Sequence, residues 1–294
     1  MSAVLRHDHP SPDDVPVRDA ATVMLLRDGD DGLEVCLMQR NLNSDFVGGA
    51  FVFPGGAVDP EDGDARTAAV CTGRDDAAAS RLLGVPSGAL AFWVAGIRES
   101  FEEAGILLAR HVDGRPVSFE DPADAVRFEA HRADVDTGRR TIAEVAAEEG
   151  VLLDVGAMHA FSRWITPLGA HRRYDTRFFV AAAPEGQVAL HDDRELIGTH
   201  WMTPADALRR HDAGEIVMIF PTIRTLVALG RFDRAGDALA HAAALSSLPA
   251  VLPTVRESPD GQRIVLPGDP EHTGGVYDAA SARPVIDDGG GGER

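Results

Sequence analysis

Residues 90–106 read LAFWVAGIRESFEEAGI. Leu90, Val94, Ile97, Phe101 and Ala104 recur at steps of three and four and form one apolar face, which predicts a helix over 90–104. Gly105 stands where a left-handed C-terminal cap belongs. Glu99, Glu102 and Glu103 fall on a neighbouring face, and Arg98 reaches Glu102 at i,i+4. This placement works against helix stability. Carboxylates in the last turn meet the negative pole of the macrodipole, at roughly 0.3–1 kcal/mol each when exposed. A helix built for stability alone would carry Lys or Arg there. Three oxygen donors in a cluster suit Mg2+ or Mn2+. Taken without its flanks, the cluster also reads as a solvated acidic helix end.

Upstream, AATVMLL (20–26) and LEVCLMQR (33–40) read as buried strands joined by the turn-rich RDGDDG, a hairpin. Residues 51–53 form a short apolar strand ending at Pro54-Gly55-Gly56. Residues 58–87 are acidic, Ala-rich and broken by Gly and Pro, with at most one helix, near 75–83. Downstream, 106–108 begins another strand. Residues 119–150 are helical and charged. Strands follow over 161–165, 176–183 and 199–202, with the basic turn TPLGAHRRYD between the first two. Helices are expected over 204–211, where Pro204 takes a first-turn position, and over 221–229 and 234–245. VLPTVRESPDGQRIVLPGD suits one hairpin, and the Gly-rich end suits disorder.

The formal net charge of −19 repels nucleic acid and anionic lipid surfaces. No lysine is present, and every cationic side chain apart from histidine is arginine. A P-loop, which needs a Lys, is therefore excluded, as is Schiff-base chemistry. No apolar run approaches the ~20 residues of a membrane span, and the polar N-terminal stretch has no secretory h-region. Two cysteines, Cys36 and Cys71, make neither a disulfide framework nor a zinc site, and they fit a reducing cytoplasm. Cys36 is expected as a core thiol.

The flanks of the glutamate cluster resolve its two readings. RESFEEAGI, Arg98 to Ile106, resembles the second half of the Nudix box, R-E-U-x-E-E-x-G-U, where U is a bulky apolar residue. Only Ser100 departs, at the first bulky position. Phe53-Pro54-Gly55-Gly56 resembles the strand end and glycine pair that open the box. The family pattern continues G-x5-E-x7-R-E. Here 42 positions separate Gly56 from Arg98, about 28 more than the pattern allows, so the box is split. The first Glu of the pattern, which braces the arginine, has two candidate counterparts, Glu61 and Asp62. A split box is similar to that of the branch containing the mammalian peroxisomal coenzyme A diphosphatase. RNLNSDFVGGAFVFPGG, Arg40 to Gly56, resembles the coenzyme A signature R-[SA]-x3-R-x3-G-x3-F-P-G-G, with Asn41 and Asp45 replacing a small residue and the second Arg. FSRWITP, RRYDTRFF and FPTIRTL also resemble that branch.

The resemblance implies an α+β fold, a Nudix-type α/β/α sandwich with a mixed β-sheet. The expected organisation is a mobile arm over 1–18, the hydrolase domain over 19–248 with its insertion at about 58–88, and an extension over 249–294. That extension is expected outside the core, packed on its own subunit or in a homodimer. The resemblance further implies Glu99, Glu102 and Glu103 as ligands of Mg2+ or Mn2+, and Arg98 as the residue orienting them. Glu102, or Glu195 from a later loop, is the expected base. Gly55 and Gly56 would let the backbone approach the phosphates, and Arg40, Arg172 and Arg173 are candidate phosphate contacts. Trp164 and Trp201 suit either base stacking or core packing. The implied reaction is metal-dependent hydrolysis of a nucleoside diphosphate derivative, foremost coenzyme A or acyl-coenzyme A. NADH, ADP-ribose or a dinucleoside polyphosphate is the alternative substrate, and a non-catalytic ligand sensor is the alternative from another class.

Overall fold

A computed structural model describes residues 15–42, 48–191, 195–258, 261–267, 276–278 and 283–285. Asp45 and the last part of the extension lie outside them, as does most of the expected arm. In chain order the elements are β1 (Val17–Gly29), β2 (Gly32–Arg40), β3 (Ala50–Val52), β4 (Gly55–Ala57), α1 (Ala65–Ala69), β5 (Cys71–Thr72), α2 (Asp76–Leu83) and α3 (Leu90–Ala104). They continue with β6 (Ala109–His111), α4 (Pro122–Asp136), α5 (Ile142–Glu149), β7 (Val151–Asp154), β8 (His159–Ile165), β9 (Arg173–Ala182) and β10 (Leu196–Met202). The closing part comprises α6 (Pro204–Asp212), β11 (Val217–Met218), α7 (Phe220–Leu229), α8 (Ala235–Ala243), β12 (Ala250–Val251), β13 (Thr254–Ser258) and β14 (Gly261–Val265).

The main sheet runs β11-β3-β2-β1-β9-β8-β12, with β4 paired to β1 and β10 to β2. It is mixed: β1 lies antiparallel to β2 and parallel to β9. Alternate residues of β1 feed two cores. Ala21, Val23 and Leu25 pack toward α3, while Met24 and Leu26 pack toward α7 and α8. A strand buried on both faces carries no polar alternation, which is why AATVMLL reads as a continuous apolar run. The result is the expected α/β/α sandwich.

The structure alters several details. Between β4 and α3 the chain holds α1, β5 and a 3-10 turn over Pro60–Gly63 besides the expected α2. Strand β6 begins at Ala109 rather than at 106, because the Leu107 N–H and C=O are both taken by the Gln187 side chain, at 2.8 and 3.0 Å. Strand β1 starts at Val17, inside the stretch expected as an arm. The boundary expected at Pro249 is crossed: β12 pairs with β8 of the main sheet, Val251 and Leu266 are buried in the second core, and Val265 is buried as well. The hairpin expected beyond it is present as β13 and β14.

Candidate active site

Helix α3 spans the predicted residues and ends on Gly105, whose φ of 66° is the left-handed conformation that favours glycine. Every residue of α3 except Glu99 and Glu102 is buried. The helix lies against β1 and β4, so its acidic face looks onto the Gly55-Gly56 strand. That strand is fixed by its pairing with Ala20, Ala21 and Thr22 of β1. The Gly55 N–H donates to Glu103 Oε2 at 2.8 Å. A Cβ on Gly56 would stand 2.6 Å from the Glu99 carboxyl carbon. Glycine at 56 is what leaves room for that carboxylate.

Arg98 organises the rest. Its Nε and Nη2 donate to the two oxygens of Asp62 at 3.1 and 3.0 Å, a bidentate pair. Nη2 also donates to Ala57 O at 2.8 Å. Nη1 donates to Glu99 Oε1 at 2.9 Å and Glu102 Oε2 at 3.2 Å. Burial alone would lower the Arg98 pKa, but the bonds to Asp62 and the charges of Glu99, Asp62 and Glu102 raise it and keep the guanidinium charged. Of the two candidates for the bracing acid, Asp62 holds the arginine, and Glu61 does not bond to it. The count from Gly56 contains this answer. Asp62 stands six positions after it, the place of the pattern's first Glu, so the extra residues follow Asp62 rather than Gly56.

The three glutamates sit in costly surroundings. Burial pushes Glu99 up to about 7, helped by the charges of Asp62 and Asp59 and opposed by Arg98. Burial pushes Glu102 up to about 8, again against Arg98 and with Glu99, Asp136 and Asp62 adding repulsion. Glu103 is raised well above the ordinary range by burial and then by Glu99 and Glu195, while the Gly55 N–H and Arg40 act the other way. Glu195 and Arg40 are therefore close enough to Glu103 to act on it electrostatically. The backbone explains how: Leu196 pairs with Arg40, and the Asn41 N–H donates to Glu195 O at 2.8 Å. The strand ends of β2 and β10 thus deliver one cation and one carboxylate to the same side of α3.

The donor set fits a hard divalent cation: oxygen ligands, drawn from water, with too little protein charge to neutralise them all. The carboxylates are linked through Arg98 and the Gly55 amide rather than gathered at one point. Among the described residues, the trio with ligand atoms within 4.8 Å of one another is His131, Glu148 and Glu149. Its lone pairs are already engaged. Arg127 donates to both Glu149 oxygens, His131 Nε2 meets Glu149 at 2.8 Å, and Arg140 binds Glu148 at 2.6 Å and His131 Nδ1 at 3.1 Å. That group is an ion-pair network holding α4 to α5.

Other sequence candidates fall elsewhere. Arg173 is buried at the start of β9, where its Nε donates to Thr166 O at 3.1 Å and closes the basic turn. Arg172 is exposed beside it. Among the described residues, neither bonds to the glutamates. Trp164 packs in the second core and Trp201 lies under the Arg27 guanidinium, so neither stacks over α3. Cys36 is a buried thiol raised to about 12 by desolvation, as a core cysteine should be.

Known proteins resemble this chain along most of its length. A family model described as the NUDT19 Nudix domain matches residues 64–229. The acyl-coenzyme A diphosphatase NUDT19 of Gallus gallus is 28% identical over 303 residues, covering 87% of this chain and 78% of the relative. That of Homo sapiens is 28% identical over 270 residues, covering 81% and 72%. Among solved structures, a Nudix hydrolase from Alicyclobacillus acidocaldarius superposes with a TM-score of 0.64 at 28% identity, covering 77% of this chain and 97% of the other. A family match over more than half the chain, on a site that keeps the box residues, makes this chain a Nudix hydrolase of the NUDT19 Nudix-domain family.

Proposed function

We propose that the chain hydrolyses the diphosphate of coenzyme A or an acyl-coenzyme A with Mg2+ or Mn2+, releasing 3′,5′-ADP and a 4′-phosphopantetheine fragment. The observation that carries the chemistry is the set of buried Glu103 and half-buried Glu99 and Glu102, organised by Arg98 and the Gly55 amide. The relatives named for acyl-coenzyme A support the substrate. A divalent cation bound there would neutralise the diphosphate and lower the pKa of an attacking water.

The chain's own residues do the remaining work. Glu99, Glu102 and Glu103 are the ligand positions. Arg98 uses its planar fork to fix Glu99 and Glu102 while Asp62 fixes Arg98. Glycine at 56 keeps the Glu99 carboxylate in place. Glu195, carried on the neighbouring strand end, takes the proton of the attacking water, because Glu102 is already committed to Arg98. Arg40, at the same strand end, faces the substrate phosphates. Both cysteines are free, which supports a reducing, cytoplasm-like compartment, and no helix among the described residues is long and apolar enough to cross a membrane.

The test is a panel of coenzyme A, acyl-coenzyme A, NADH, ADP-ribose and a dinucleoside polyphosphate, with products identified by mass. Release of 3′,5′-ADP from the coenzyme A compounds, at higher kcat/KM than any other member reaches, is the expected result. Preference for NADH, ADP-ribose or the dinucleotide would replace the substrate and keep the chemistry.

A further inference from the structure

The C-terminal end of α3 poses a problem that its own sequence leaves unsolved. The last four carbonyls of a helix have no partner within it. Here they stand beside Glu102 and Glu103, at the negative pole of the macrodipole, and the last turn of α3 contains no basic residue.

The structure satisfies one through the Gly105 cap and the other three from distant segments. The Gly105 N–H donates to Phe101 O at 3.1 Å. Arg132, from α4, donates through Nε to Glu102 O at 2.8 Å and through Nη2 to Glu103 O at 3.0 Å. The Leu190 N–H donates to Ala104 O at 2.9 Å. The same Nη2 also donates to Leu190 O at 3.0 Å. One guanidinium thus binds carbonyls of two segments: the end of α3 and the stretch at Leu190. Gln187 fastens that stretch a second time, through Leu107 and Val117.

Arg132 is only 5% exposed. Its carboxylate partner among the described residues, Glu129, is 3.5 Å from Nη1 and is itself exposed. A buried cation without a close carboxylate is costly. Here the helix end supplies the compensating partial charge, and the planar fork suits three carbonyls in a way a lysine does not.

We infer that Arg132 is a positioning residue: it caps the catalytic helix from outside and ties the Leu190 segment to its end. It touches no substrate and acts through the backbone that carries Glu102 and Glu103. This inference rests on the reading that those glutamates work at one site.

The experiment uses the full chain with Arg132→Ala, Arg132→Lys and, as a control for the exposed ion pair, Glu129→Gln. Amide hydrogen exchange is read at Leu190 and over 101–106, together with kcat and KM on the best substrate of the panel. In Arg132→Ala the Leu190 amide is expected to exchange about tenfold faster or more, with β1 and β9 unchanged. Its kcat falls by about tenfold or more while KM stays within about threefold, since no substrate contact is lost. Arg132→Lys recovers part of both, free guanidinium restores part of kcat in Arg132→Ala, and Glu129→Gln behaves as wild type. Unchanged exchange at Leu190 in Arg132→Ala would overturn the inference, as would a loss of kcat that free guanidinium does not restore. If Arg132→Ala does not fold, Arg132→Lys decides: faster Leu190 exchange with lowered kcat supports the inference, and wild-type values of both refute it. If the wild type turns over nothing in the panel, the substrate reading fails while the exchange data still decide this one.

Discussion

Asp62 receives two hydrogen bonds from Arg98, at 3.1 and 3.0 Å, across a split in the sequence of 36 positions. Both partners are withdrawn from solvent, with side-chain exposures of 2% and 11%. Removing one member of a buried pair leaves the other charge uncompensated, at a cost of about 3–5 kcal/mol. Asp62→Ala is expected to lose about that much stability in urea unfolding. Its kcat should fall by about tenfold or more, because Arg98 then no longer fixes Glu99 and Glu102. A variant with wild-type stability and turnover would remove Asp62 from the site.

Gly56→Ala tests the close approach of β4 to α3. The added methyl would overlap the Glu99 carboxyl, 2.6 Å from its carbon. That group is the far end of a flexible side chain and can move away, so stability should change by less than about 1.5 kcal/mol. Turnover should fall by about tenfold or more, since the carboxylate leaves its ligand position. Wild-type kcat with an unmoved melting temperature would mean that Glu99 does not need this space.

The raised carboxyls make stability depend on pH in the protein stripped of divalent cations. Glu99 is pushed up to about 7 and Glu102 to about 8, from an ordinary 4.5, chiefly by burial. A carboxyl with a higher pKa in the folded chain binds more protons folded than unfolded, so its contribution is favourable at low pH and is lost as pH rises through the folded value. In EDTA, Tm should therefore fall between about pH 5.5 and pH 8, and millimolar Mg2+ should restore more of it at the higher pH. A rise in Tm over that interval in EDTA would contradict the electrostatics of the site.

Truncation after Leu248 should destabilise the chain. It removes β12 from the edge of the main sheet, the Val251 and Leu266 side chains from the second core, and the buried Val265. Full burial of each such side chain contributes about 1.5–3 kcal/mol, so a loss of about 3 kcal/mol or more is expected in urea unfolding. Equal stability of the truncated and full chains would place the extension outside the core after all.

What the sequence revealed depended on whether the determining contact was local. Helix α3 was legible because its apolar period, its Gly105 cap and its Arg98–Glu102 pair all lie within a few turns. The bracing acid was half legible: the count from Gly56 selects Asp62, but the residues after it hide the spacing to Arg98. Arg132 left no trace, because a cap supplied by another helix has no fixed distance from the carbonyls it serves. The strand expected at 106–108 failed for a similar reason: an apolar run alone does not show that a distant glutamine takes its backbone bonds. How the extension joins the main sheet was not legible, because a two-residue strand such as β12 is invisible without its partner.

The central claim is that the acidic face of α3 is the catalytic metal site, and Glu103 tests it most directly. Glu103 is buried beneath the Gly55 N–H, which donates to it at 2.8 Å. Glu103→Gln keeps that acceptor and the side-chain volume but removes the charge. The variant is expected to retain the wild-type Tm in EDTA or exceed it, and to lose turnover by about a hundredfold or more at any Mg2+ or Mn2+ concentration. Full metal-dependent turnover by Glu103→Gln would contradict the account.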